Sequence, residues 1–273
     1  MIKQADGFLR ICVLTILLIA GHASAQSEPQ IITLALSKPG EPISLEIDIL
    51  SAHIEVIGED RKDVEFSFTV SGGGRKIITP SGTRTLTNSG YELEVEEDNN
   101  RIEVDTDGLV SKVSIVARVP KRADLELSTV NNGEIIVRDV IGKMELENIN
   151  GPITAINISG SIIAEAINKD IKIGFAKVND GDVSALSSIN GKLILTLPAK
   201  AGVELHLDSN RGEIISDFEV DVKPSKPVIN RNNDRDGMSV RIENTVVATI
   251  NGGGPIIKMK TLNGDIQILK ADK

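Results

Sequence analysis

An all-β chain, a flattened parallel β-solenoid with an irregular N-terminal cap, is predicted by three observations. Turns recur about every nine residues between 133 and 193; between them apolar and polar residues alternate with period two; and the apolar complement is almost wholly aliphatic, with 2% aromatic residues, one Tyr and no Trp. Recurring turns with short alternating runs are the signature of stacked strands. An antiparallel β-meander is the alternative, but it would need something else to cover its apolar face.

Taken from the N-terminus, Lys3 and Arg10 precede an apolar run, Ile11 to Ala20, which ends in Ala23-Ser24-Ala25. The run is short for a membrane span and has the order of a cleaved leader. Residues 1–25 are therefore expected to be a signal peptide and Gln26 the first mature residue. Cys12, the single cysteine, falls inside that leader, so no disulfide and no lipid-bearing cysteine is expected in the mature chain. No second apolar run long enough to span a membrane follows. The remainder, 26–273, reads as one domain, with an irregular portion over 31–122 and clear repeats over 123–270.

In the irregular portion, Ser51-Ala-His-Ile-Glu-Val56 has the shape of a degenerate first repeat, and Val64-x-Phe66-x-Phe68-x-Val70 alternates cleanly. Ser71-Gly-Gly-Gly74 through Ser89-Gly90 has the composition of a protruding loop.

In the clear repeats the first apolar residues are Ile135, Met144, Ile153, Ile162, Ile171, Val183 and Leu193, spaced nine apart four times and then twelve and ten. Two residues earlier stand Gly133, Gly142, Gly151, Gly160, Lys169, Gly181 and Gly191. Gly212, Gly254 and Gly264 mark later turns. Asn-Gly recurs at 132, 150, 190, 251 and 263, a pair suited to successive residues of positive φ. Lys169 breaks the rule and should mark either a strained residue or a differently shaped corner. Polar residues such as Glu145, Glu165, Lys172 and Ser184 are expected on a wet face, with aliphatic partners buried between two sheets. Each fully buried aliphatic side chain contributes roughly 1.5–3 kcal/mol. Two repeats of about nine residues make one coil, each stacking on its near-copy.

The net charge of −9 argues against nucleic acid as a partner, since there is no cationic excess to displace counterions. Scarce aromatic residues leave little with which to stack sugars or bases. The mature histidines are His53 and His206 alone, and no nucleophile motif is present. No catalytic residue and no cofactor is expected. Glu134, Asp170, Asp182, Glu213 and Asp265 follow turns and raise the alternative of a β-helical polysaccharide-active enzyme, although turns are wet and attract polar residues regardless. One loop has a more specific shape. Asn232, Asp234, Asp236 and Glu243 have the spacing of a twelve-residue calcium loop, with Asn in the first place. Calcium is the ion this spacing would suit. The alternating Ser239-Val-Arg-Ile-Glu243 favours a polar hairpin instead.

Val119-Pro120, Leu125-x-Leu-x-Thr129-Val-Asn-x-Gly133-Glu-Ile135, Asn190-Gly-x-Leu-x-Leu-x-Leu-Pro198, Arg211-Gly-Glu-Ile214, Ile250-Asn-Gly-Gly-Gly254 and Thr261-x-Asn-Gly-Asp-Ile266 fall in order along the chain. In these landmarks, from about Ile43 to Leu269, the chain resembles the bacterial putative-adhesin family of β-strand-repeat domains, a domain of unknown function. The resemblance implies an exported β-solenoid. The expectation is a non-enzymatic interaction or structural surface of the cell envelope, in the periplasm, on the outer envelope or secreted. Its partner would be an unidentified envelope or extracellular protein or glycan. A self-assembling envelope scaffold is a further alternative, since stacked strands end in open edges.

Overall fold

A computed structural model of the chain describes residues 29–70, 92–107, 112–131, 133–223, 228–234, 237–243 and 245–271. The leader, the 71–90 insertion, Asn132 and Asp236 lie outside these residues. All regular structure among the described residues is strand. The irregular portion gives β1 (Gln30–Ala35), β2 (Ile43–Ile49), β3 (Ala52–Glu59), β4 (Asp63–Val70), β5 (Glu92–Asp98), β6 (Arg101–Asp107) and β7 (Val113–Pro120). The repeats give β8 (Ala123–Thr129), β9 (Ile135–Arg138), β10 (Met144–Asn148), β11 (Ile153–Ser159), β12 (Ile162–Ala166), β13 (Ile171–Lys177), β14 (Val183–Ser188), β15 (Leu193–Leu197), β16 (Val203–Ser209) and β17 (Ile214–Ser216). Then follow β18 (Asp221–Lys223), β19 (Val228–Asp234), β20 (Gly237–Glu243), β21 (Val246–Ile250), β22 (Ile256–Thr261) and β23 (Ile266–Lys270).

These strands form two large mixed sheets and a separate two-stranded hairpin, β19–β20. Sheet A runs β1-β4-β7-β3-β9-β11-β13-β15-β23-β17, and sheet B runs β18-β21-β16-β22-β14-β12-β10-β8-β2-β6-β5. From β8 to β15 the chain changes sheet at every turn, so each strand pairs in parallel with the strand two places along. Ile135, Ile153, Ile171, Leu193 and Ile266 consequently stand in one row of sheet A. Leu125, Met144 and Ile162 do the same in sheet B. All eight point into one aliphatic core between the sheets, and none is more than 3% exposed. The ends depart from the expected all-parallel pairing: β1–β4–β7, β5–β6 and β16–β21–β18 are antiparallel. Antiparallel neighbours can be joined by short turns, whereas a parallel neighbour requires a crossover.

The irregular portion is more than a cap. β2–β3 lies between β6–β7 and β8–β9, and β22–β23 likewise lies between β14–β15 and β16–β17. The strand pairs β2–β3 and β22–β23 are thus each held between two others.

Two sequence expectations need correction at the turns. At four of the five Asn-Gly pairs, Gly133, Gly151, Gly191 and Gly264, the glycine is required by close approach and not by positive φ; Asn251-Gly252 alone has both residues at positive φ, as expected. A Cβ at Gly151 would lie 1.7 Å from the carbonyl oxygen of Gly133, and one at Gly264 would lie 2.0 Å from that of Gly191. Of the repeat-turn glycines, Gly160, Gly181 and Gly254 do have positive φ. Lys169 is not among the positive-φ residues, so it carries no such strain. The second correction concerns β14, where Val183 is 51% exposed while Ser184 is buried. The longer twelve-residue step shifts the phase, Leu186 takes the core position beside Ala164, and the Ile162 amide donates to Ser184 Oγ at 3.2 Å. Period-two alternation fixes two faces but not which of them is the inner one.

Beside the corner glycines runs a ladder of exposed side chains. Asn150 Nδ2 donates to Asn131 Oδ1, Asn168 to Asn150, Asn190 to Asn168 and Asn263 to Asn190, at 2.8–3.0 Å. The step from Asn190 to Asn263 follows the interposed β22–β23, so the ladder tracks the order in space and not in sequence.

Replacing Ile162, fully buried, with Asp places an unpaired charge between the sheets and is expected to cost several kcal/mol. Glu165→Ser, on the exposed side of the same strand, should change stability by less than about 0.5 kcal/mol. Denaturant melts of the two variants check the register; equal losses would refute it.

Candidate interaction surface

Alternation gives sheet B an outer face of its own. At successive cross-strand positions one row reads Glu103, Glu46, Glu126, Glu145, Ile163, Ala185, Lys258 and His206. The next reads Asp48, Ser128, Glu147, Glu165, Ser187, Lys260 and Asp208. Acidic side chains therefore dominate one half of the face, and Lys258 and Lys260 lie on the other with His206 and Asp208. Adjacent strands lie about 4.8 Å apart, and like charges directly opposite one another are destabilising.

Among the described residues, the acidic half is compensated at its β6–β2 end only. Arg101 reaches Glu46 at 2.7 Å and Glu103 at 2.6 Å, and Ser128 Oγ donates to Asp48 Oδ1 at 2.6 Å. Glu126, Glu145, Glu147 and Glu165 make no ion pair among the described residues. Glu147 sits at their centre, and partial desolvation together with Glu165, Glu145, Asp48 and Glu126 raises its pKa above the ordinary carboxylate value. A shallow groove lined by Glu46, Asp48, Glu126, Ser128, Glu145 and Glu147 runs between the rows. On the lysine half, Lys260 lies 3.5 Å from Asp208, and Glu204 accepts from Lys223 at 2.6 Å. His206 Nε2 lies 2.8 Å from Glu204, whose pKa is lowered first by that hydrogen bond and then by Lys223.

The acidic residues after turns do something different. Asp170 Oδ1 accepts from the Lys192 amide at 2.9 Å, and Asp265 Oδ1 from the Glu213 amide at 3.2 Å, so each ties its corner to the neighbouring strand. The Glu213 amide, and after it the Lys192 side chain, lower the Asp265 pKa. Glu134 faces His53 at 3.6 Å. Asp170 and Asp265 thus act as corner fixtures. Among the described residues no group of three or more His, Cys, Asp or Glu is placed to hold a metal.

In the calcium-like loop, Asn232 and Asp234 lie on β19 and Glu243 on β20. Asn232 is opposite Ser239 and Glu243 opposite Val228, four residues further along the hairpin. That separates Glu243 from Asn232 by roughly 13 Å of strand rise.

The sequence showed the outer carboxylates only as wet positions. Their alignment into rows depends on the cross-strand register, which a single strand does not reveal. The Asn ladder was partly visible, as recurring Asn-Gly, but Asn131 and Asn168 precede other residues.

No family model matches the chain, and no curated protein does. Among solved structures, it is similar to one described as a "putative cell adhesion protein" from Clostridium sporogenes, at 12% identity and a TM-score of 0.50. The match covers 89% of this chain and all of that one. Weaker overlaps include a "putative adhesin" from Bacteroides fragilis, at 11% identity and a TM-score of 0.29, covering 89% of this chain and 97% of that one. Another is a "putative lipid binding protein" from Parabacteroides distasonis, at 12% identity and a TM-score of 0.32, with the same coverages. The resemblance read from the sequence landmarks is therefore borne out at the level of the fold. Among the described residues, no helix is long and apolar enough to cross a membrane.

Because its pKa is raised in the folded state, Glu147 contributes stability only when protonated, and that contribution is lost as pH rises through the folded pKa. Glu147→Gln is expected to stabilise the protein at neutral pH by roughly 0.2–1 kcal/mol, the scale of a cross-strand charge pair. The gain should vanish on acidification below the ordinary carboxylate range. Thermal melts of both proteins across pH measure it.

Proposed function

We propose that this chain is an exported, non-enzymatic protein of the bacterial cell envelope. Its residues from 26 onward form one flattened β-solenoid that presents the outer face of sheet B as an adhesin-like interaction surface. The observation that carries this reading is the set of aligned, unpaired carboxylates at Glu126, Glu145, Glu147 and Glu165. Nothing in the core or the corners requires acidic residues there, and their mutual repulsion opposes folding. A cationic partner surface would relieve that repulsion, and complementary charge gives such a partner orientation and speed of encounter. The near absence of aromatic residues favours a protein over a glycan, since sugar rings are commonly held by stacking. The leader-like N-terminus supports export, and the use of Asp170 and Asp265 as backbone acceptors speaks against the enzyme alternative.

Affinity capture from envelope extracts with the purified protein tests this reading. A reproducible partner is expected, released as salt is raised to about 0.5 M, where surface charges are strongly screened. The triple variant Glu126→Gln, Glu145→Gln and Glu147→Gln should lose it. Polysaccharide cleavage abolished by a single Asp or Glu substitution would establish the enzyme instead.

Calcium is assigned no role in this reading, because the hairpin register separates Glu243 from Asn232 and Asp234. Calorimetric titration is expected to give no binding tighter than millimolar, in wild type and Asp234→Ala alike. A micromolar site lost in the variant would overturn that.

A further inference from the structure

Among the described residues, four strands end the two large sheets: β1 and β17 in sheet A, β5 and β18 in sheet B. An edge strand exposes a row of unpaired backbone groups, and proteins guard such edges with charge or by keeping them short. Three of the four are guarded. β5 carries Glu94, Glu96, Glu97 and Asp98, while β17 and β18 are three residues each. β1, Gln-Ile-Ile-Thr-Leu-Ala, is six residues long and has no charge.

β1 is also left apolar on both faces. Ile31 is 65% exposed, and Ile32 is 40% exposed although it lies opposite the fully buried Phe66, on the core side of the sheet. The core therefore stays half open at this end. Charge around the edge is already balanced: Arg61 reaches Asp63 at 2.8 Å and Glu65 at 3.7 Å on the adjoining β4, and Arg118 reaches Glu65 at 3.7 Å. The strand is held in place as well. Ser37 donates through its amide and hydroxyl to Glu97, and the Lys38 amide donates to Asn100 Oδ1 at 2.8 Å. This clasp joins the edge of sheet A to that of sheet B.

We propose that β1 is a docking edge for a second copy of this chain, with the two β1 strands pairing antiparallel across a two-fold axis so that sheet A continues from one copy into the other. An uncharged strand is compatible with itself under such an axis, since no like charges meet. A strongly charged partner strand, by contrast, finds nothing to neutralise it. The pairing extends the main-chain ladder and covers Ile31 and Ile32. Because the other edges are guarded, it closes at a dimer and does not propagate into a filament. It is independent of the acidic face of sheet B.

Light scattering of the purified protein over a range of concentrations, with hydrogen exchange of residues 30–35, tests the proposal. A concentration-dependent dimer is expected, with β1 amide protection rising as it forms. Ile31→Lys places two cations close together across the axis and should weaken association by about tenfold or more. Its thermal stability at concentrations where both proteins are monomeric should stay unchanged, because Ile31 is exposed. Glu96→Lys, on the β5 edge, should leave the dimer intact. A monomer at every concentration, a dimer indifferent to Ile31→Lys, or β1 protection that appears only when a different protein is added would each overturn the proposal.

Discussion

Successive strands of these sheets must turn their corners at a spacing of about 4.8 Å, and at one edge of the stack the backbone of each layer rests on a carbonyl of the layer before it. That contact organises much else. It leaves no room for a Cβ at Gly133, Gly151, Gly191, Gly264 and Gly212. It is drawn in by a small polar side chain on the inner side of the preceding strand end. Asn148 Nδ2 donates to Gly133 O at 3.2 Å, Ser188 Oγ to Lys169 O at 3.3 Å, Thr261 Oγ1 to Gly191 O at 3.0 Å and Ser209 Oγ to Gly264 O at 2.9 Å. Two residues after each inner side chain stands the outer Asn of the ladder, or Arg211 in the last layer. The exception supports the account. The layer with Ala166 in the inner place cannot make this bond, and it is the layer whose corner residue is Lys169 instead of Gly.

The same constraint explains how two parts of the chain distant in sequence join the stack. β22–β23 supplies Thr261, Asn263 and Gly264, the same inner, outer and corner types as Ser188, Asn190 and Gly191, so it can be interposed without altering the corner. Interposition fixes the last strand pair against neighbours on both sides, and β2–β3 is fixed in the same way near the start. Such long-range pairing carries a cost in loop closure and slows folding. In return, neither β2–β3 nor β22–β23 lies at an end of the stack, where strands fray most readily.

How much of this was legible in the sequence follows from which properties are local. The period of nine, the alternation and the aliphatic core were readable, because each is set within one or two strands; Ile153 and Ile171 were recognisable as partners from their like surroundings. Val183 was misassigned because a twelve-residue step preserves the alternation while shifting its phase, and only Ala164 beside Leu186 resolves the phase. Gly133, Gly151, Gly191 and Gly264 were found for the wrong reason, since close approach and positive φ both select glycine and only the neighbouring carbonyl tells them apart. The order of the stack was not readable at all. Nothing near Ile256 says that its neighbours are Val183 and Glu204.

The outer face of sheet B was equally hidden, and for a reason that bears on its use. Core positions are held by packing and corner positions by backbone contact, so their residue types are dictated. Outer positions of a strand are dictated by neither. Glu126, Glu145, Ile163, Ala185 and Lys258 occupy equivalent places on successive strands of one fold, and the fold accepts carboxylate, alkyl and ammonium groups there alike. Segregation of acid at one end of that row and lysine at the other therefore cannot be attributed to the architecture. In the acidic half, moreover, the arrangement works against stability, since it raises the pKa of Glu147 and leaves four carboxylates without an ion-pair partner among the described residues. A feature that the fold neither needs nor benefits from is best accounted for by something outside the fold, which is the physical ground for regarding this face as a surface that meets another molecule.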